Sequence, residues 1–232
     1  MPHSHKELVV ISIGGSIVVP KTGIDIAYLK KFRKMILAEI KKNKRFIIVI
    51  GGGQTAREYQ RAANALVRLD PEDVDWLGIH ATRMNGHLLR ALFRDIALPA
   101  INKDPRKTMR WVEPVMIAAG WKPGWSTDYV AVSLAQKYGA HRVLNLTNID
   151  MVYDADPAKN KNAKSVRDIC WKDFRKIVGD VWSPGANAPF DPVASKLAEK
   201  YTMDVIIAKG TDIKNVNAIL HGKKYIGTLI HV

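Results

Sequence analysis

Residues 9–20 read VVISIGGSIVVP, an apolar run from Val9 to Ile13 that breaks at Gly14-Gly15-Ser16 and then resumes. Such a break means either a tight turn or a backbone that something must approach too closely for any side chain. Residues 45–57, RFIIVIGGGQTAR, repeat the arrangement at Gly51-Gly52-Gly53. A glycine turn between a buried strand and a helix presents N–H groups at the positive end of a helix dipole, which suits phosphate. Ligands of parallel α/β sheets bind beyond the carboxyl ends of the strands. Two such turns could hold the phosphates of two substrates tail to tail, the geometry that phosphoryl transfer requires. No G-x-x-x-x-G-K-[ST] occurs, which argues against a P-loop enzyme. Gly51-x-Gly53-x-x-Ala56 formally matches a dinucleotide fingerprint, but that reading leaves the first turn unexplained.

The pattern around the turns predicts alternating strands and helices. ELVVISI and FIIVI (46–50) read as strands, the second as one buried on both faces. Asp25 to Lys44 reads as a helix, with Ile26, Leu29, Phe32, Ile36 and Ile40 at spacings of three and four. Helices are also predicted over 55–68, 76–95, 127–139, 171–178 and 213–220, and one opens at Asp191-Pro192. Further strands are predicted at 99–101, 112–118, 143–149, in DVIIAKG, and in GTLIHV as a last edge strand. Residues 155–166 and SPGANAPFDP (183–192) read as loops. This alternation implies a mostly parallel α/β sheet. The chain reads as one domain, residues 1–232, with a boundary between halves near Gly120 to Asp128.

Composition narrows the class. The 232 residues are 47% hydrophobic and 25% charged, as in a soluble globular protein. A single cysteine, Cys170, excludes an intrachain disulfide. The apolar run after Lys6 is interrupted by glycines and is followed by no clear cleavage site, so a cytoplasmic location is expected. Lysine and arginine number 36 against 22 acidic residues, a net charge of +14 that suits polyanionic partners. Much of the excess is local, in KKFRKMILAEIKKNKR and AKNKNAKSVR, and reads most simply as solvated faces. No nucleic-acid-binding motif accompanies it, and no membrane partner is indicated.

Further motifs follow in order: GGGQTAR (51–57), DWLGIHATRMNGHLL (75–89), WKPGWSTD (121–128), TNIDMVYDADP (147–157) and FDPVASK (190–196). Together they resemble the amino acid kinase family, most closely its archaeal-type uridylate kinases, over nearly the whole chain. The resemblance implies a three-layer αβα sandwich around a mainly parallel sheet. It implies ATP as donor, UMP as acceptor, Mg²⁺ carried by the ATP phosphates, and a homo-oligomer, a hexamer built as a trimer of dimers. An acceptor half would span about residues 1–128 and an ATP half about 129–232. Gly14, Gly15 and Ser16 would hold donor phosphates, and Gly52 and Gly53 would sit between acceptor and donor. Arg57 would reach phosphate oxygens. Asp75 would contact the acceptor nucleoside, and the loop Trp121, Lys122, Pro123, Gly124, Trp125, Ser126 and Thr127 would wrap its base and phosphate. Thr147, Tyr153 and Asp156 would line the ATP nucleoside site.

Taken one at a time, these residues have plainer readings: a packed aromatic for Tyr153, a turn for Asp156-Pro157, a solvated helix residue for Arg57, a helix cap for Thr127, a loop carboxylate for Asp75. Two departures from the family pattern matter. Ser12 stands where many members carry lysine, which throws the charge requirement onto Lys196, early in its helix. Met151 stands where relatives have glycine, and would strain a turn that needs positive φ. Competing readings keep the fold but change the acceptor, to isopentenyl phosphate, N-acetylglutamate or carbamate, or make the protein a nucleotide sensor or storage protein. Isopentenyl phosphate kinases tend to have histidine at the place of Arg57. RNA binding rests on the net charge alone.

Overall fold

The computed structural model describes residues 6–155, 160–179 and 188–232. Asp156, and residues 183–187 of the SPGANAPFDP loop, lie outside these.

A seven-stranded sheet runs in the order β3 (Val115–Ala118), β2 (Lys44–Ile50), β1 (Glu7–Ile13), β4 (Arg142–Thr147), β8 (Asp204–Lys209), β9 (Thr228–His231), β7 (Asp168–Cys170). The first five are mutually parallel, β9 runs antiparallel to β8, and β7 runs parallel to β9. A small antiparallel pair, β5 (Val152–Tyr153) and β6 (Ser165–Val166), stands apart. GTLIHV is thus an interior strand, and the edge belongs to Asp168–Cys170, too short to show a periodicity.

Side chains alternate across the strands and build two cores. Val9, Ile11, Ile13, Ile48, Ile50, Ile206 and Ala208 meet α2 (Ile26–Ile40), α4 (Pro71–Leu92) and α8 (Ile213–Leu220) on one face. Val10, Ile47, Val49, Val143, Val205 and Ile207 meet α5 (Thr127–Tyr138), α6 (Trp171–Val178) and α7 (Pro192–Lys200) on the other. This is the αβα sandwich, and two buried faces account for the unbroken apolar runs.

Element ends differ from the sequence reading where local chemistry intervenes. The helix from Ile26 stops at Ile40, and Lys44 already belongs to β2, where it pairs with Glu7. The helix at 71–92 begins five residues earlier than predicted, because Pro71 at its first turn follows the N-cap Asp70. Ser126, not Thr127, caps α5, its Oγ accepting from Tyr129 N–H at 3.1 Å. Residues 99–101 form no strand; Ala97 and Asn102 make single bridges to β3. Positive φ among non-glycine described residues is confined to Asn43 and Thr202, so Met151 is not strained in that way.

Candidate active site

The carboxyl ends of β1, β2, β3, β4 and β8 share one edge. The chain leaves β1 toward β2 through α2 and reaches β4 from β3 through α5, so the order reverses between β1 and β4. A crevice at such a switch point is where α/β sheets hold ligands.

Both glycine turns lie there, and they interlock. Gly14 N–H donates to Leu146 O of β4 at 2.8 Å, and Gly51 N–H donates to Ile13 O of β1 at 3.0 Å. Gly15 begins α1 (Gly15–Val18), and Gly53 begins α3 (Gly53–Leu66) with φ at +62°. A Cβ on Gly15 would fall 2.1 Å from Gly53 N, and one on Gly53 would fall 2.4 Å from Gly15 O. What approaches the first turn too closely for a side chain is therefore the second turn. Gln54 N–H donates to Val19 O at 2.9 Å, joining the end of α1 to the start of α3. Asn85 of α4 clamps the second turn, its amide donating to Gly51 O at 2.9 Å and Gly52 O at 3.0 Å. The sequence reading gave Asn85 no role; its only local signal was a polar residue on the buried side of a helix.

Arg57 lies exposed on α3, with Nε donating to Gln54 Oε1 at 3.1 Å. Asp75 lies on α4 rather than in a loop. Its Oδ2 accepts from Gly124 N–H at 2.8 Å, which ties the 121–127 loop to the helix. Burial pushes the Asp75 carboxyl up, and the Gly124 bond partly offsets it. In that loop Trp121 is buried, with Trp125 at 5.6 Å, Tyr129 at 6.4 Å, and the Arg106 and Lys122 cations each 4.6 Å from its ring. Trp121 is an anchor, whereas Trp125 is only half-buried against Tyr129. Pro123 leads into Gly124, whose φ of +84° makes the bend. Arg83 of α4 holds the start of the loop by donating to Trp121 O at 2.7 Å.

On the other side of the switch point, Thr147 ends β4 and Tyr153 lies half-buried in β5. Lys196 lies on the exposed side of α7. Beneath the edge lies a polar group that the sequence reading did not assemble. Ser12, 2% exposed, donates through Oγ to Asp128 Oδ1 at 2.9 Å. Asp191 N–H donates to Asp128 Oδ2 at 3.3 Å, while the Asp191 side chain caps α7 by accepting from Val193 and Ala194 N–H. Asn145 of β4 donates to Pro189 O at 3.0 Å. Burial first, and then the Asp191 charge, push the Asp128 carboxyl up to about 6 against the Ser12 hydrogen bond. The starts of α5 and α7 thus converge on β1 through two carboxylates.

A parallel α/β sheet with two fused glycine turns at its switch point defines an α/β protein whose turns stand where such sheets hold ligands. A family model described as "Amino acid kinase family" matches residues 7–209, and the chain belongs to that family. It is 33% identical to a uridylate kinase from Hyperthermus butylicus, over 96% of this chain and 97% of that protein. It is 34% identical to the uridylate kinase of Thermoplasma volcanium, over 97% of each chain. The crystal structure of uridylate kinase from Archaeoglobus fulgidus superposes with a TM-score of 0.79 at 29% identity, covering 96% of this chain and 99% of that one. A UMP kinase from Bacillus anthracis, at 22% identity and a TM-score of 0.78, shares the fold.

Proposed function

We propose that the protein is an ATP-dependent uridylate kinase, transferring the γ-phosphoryl group of ATP to UMP to give UDP. The carrying observation is the contact of the two glycine turns, Gly15 against Gly53, which would set donor and acceptor phosphates side by side. Full-length similarity to uridylate kinases supports the choice of acceptor.

In this reading Gly14, Gly15 and Ser16 hold donor phosphates, Gly52 and Gly53 lie between the substrates, and Arg57 reaches phosphate oxygens. Asp75 and the Trp121–Thr127 loop position UMP, while Thr147, Tyr153 and Asp156 position the ATP nucleoside. The acceptor half is about 1–128 and the donor half about 129–232. Phosphoryl transfer asks for alignment and charge neutralisation rather than covalent help. A helix N-terminus such as that of α3 suits phosphate, and phosphate oxygens with water would hold Mg²⁺, whose part is to neutralise charge on those oxygens. Lys196 is the lysine we assign to transition-state charge.

No helix among the described residues is long and apolar enough to cross a membrane, and we place the activity in the cytoplasm. Exposed apolar residues, Tyr59 and Leu66 on α3 and Met84 on α4, support assembly into an oligomer, which we read as a hexamer.

The test is ADP release with Mg-ATP against UMP, CMP, AMP, isopentenyl phosphate and N-acetylglutamate. UMP should be strongly preferred. Equal turnover of AMP, or turnover of N-acetylglutamate alone, would sink the proposal.

A further inference from the structure

The five parallel strands end in Ile13, Ile50, Ala118, Thr147 and Lys209. Lys209 is therefore the one charged side chain that these strands themselves carry to the edge where the glycine turns lie. Its Cα stands across from Thr147, and the chain stays against β4 one residue further, Gly210 N–H donating to Thr147 O at 2.9 Å. On the other side of β4, Leu146 O accepts from Gly14 N–H. Three adjacent strands thus fix the first glycine turn and Lys209 to one rigid edge. Val205 and Ile207 belong to the core shared with Val10 and Val143, so alternation sends Lys209 out on the face that carries Ser12 and Asn145.

The ammonium has a weak resting partner. Lys209 Nζ lies 3.5 Å from Asp150 Oδ1, with the side chains 43% and 60% exposed. An ion pair that open to water is held loosely and is readily exchanged for a stronger anion. Polyphosphate is such an anion, and lysine meets it as a mobile point charge.

We propose that Lys209 contacts the phosphates of the donor nucleotide, giving up Asp150 as ATP enters and stabilising the charge that develops during transfer. This rests on the reading of the site as an ATP-dependent kinase. In the step, a UMP phosphate oxygen bonds to the γ-phosphorus while the bond to the β,γ-bridging oxygen breaks. The electron pair stays on that oxygen, and Lys209 keeps its proton. The strand fixes the Lys209 backbone at that edge, and the flexible stem carries the ammonium to the phosphates.

The experiment titrates Mg-ATP, and separately adenosine, calorimetrically into wild type, Lys209→Met and Lys209→Arg, with a thermal melt of each. Losing one charge-assisted contact should weaken Mg-ATP binding roughly ten- to a hundredfold in Lys209→Met. Adenosine binding should be unchanged, and Lys209→Arg should keep most of the ATP affinity. In steady-state assays kcat should fall in Lys209→Met while the KM for UMP stays put. Wild-type ATP affinity in a folded Lys209→Met protein, or an equal loss for adenosine, would overturn the inference. Wild type that binds no ATP at all would bring down the functional reading itself, and this inference with it.

Discussion

Asp128 joins three elements: it lies in the first turn of α5, accepts from Ser12 of β1, and accepts from the N–H of Asp191 at the start of α7. The residue as a whole is only half-buried, yet burial is the largest influence on its carboxyl, which titrates at about 6 instead of 3.8. A carboxyl raised in the folded state binds more protons folded than unfolded between those values, so stability falls as pH rises from about 4 to about 6. Above that window the charged form costs on the order of 2 kcal/mol, discounted for partial exposure. Asp128→Asn should therefore raise Tm at pH 7.5, and the gain should shrink toward pH 4. A gain that grows on acidification would contradict this assignment. Lys196 poses a second question at the same scale. If it supplies transition-state charge, Lys196→Met should cut kcat about a hundredfold, some 3 kcal/mol, with little change in the KM for UMP. Full activity in a folded Lys196→Met protein would leave the charge to Arg57, Lys209, magnesium and the backbone amides.

The relevant elements are the starts of α1 and α3, which fit together only because neither carries a Cβ at the contact. Gly15→Ala would place a methyl 2.1 Å from Gly53 N and 2.5 Å from Gly51 O, atoms of backbone that cannot rotate aside. The turns would have to separate, and we expect a loss of about 3 kcal/mol in stability from overpacking. Activity should fall further than stability, since alignment of the two phosphates depends on the same contact. A Gly15→Ala protein with wild-type Tm and kcat would show that the turns are not in contact.

Across the whole molecule, the sheet divides the labour. Strands β3, β2 and β1 and the helix bearing Asp75 lie to one side of the switch point, and β4, β8, β9 and β7 to the other. Substitutions on the two sides should then separate kinetically. Asp75→Asn should raise the KM for UMP more than that for ATP, and Asp156→Ala should do the reverse. A crossed pattern in steady-state kinetics would mean that the donor and acceptor sites have been exchanged. The net charge of +14 belongs to this scale too. Lys30, Lys31, Lys34, Lys41 and Lys42 line the exposed side of α2 and the turn after it, a solvated face that carries no residue assigned to the site.

By itself, the sequence determined the alternation of strands and helices, the buried parallel sheet and the existence of two glycine turns. These are signals carried over a few residues: unbroken apolar runs, helical spacing, and glycine where a side chain cannot fit. The motifs from Gly51 to Lys196 also point to the family without reference to any contact. What filled the space beside Gly15 was decided only by tertiary structure, because the answer, Gly53, lies on another strand's connection. The same holds for Ser12 and Asp128, hydrogen-bonded across 116 residues of chain, and for Asp128 and Asp191, across 63. It holds for Asp168–Cys170, a strand only because β9 offers it an edge. Lys209 read simply as the end of an apolar strand until the sheet order set it beside β4. A buried charge takes its meaning from what surrounds it, and those surroundings come from packing, which local sequence does not encode.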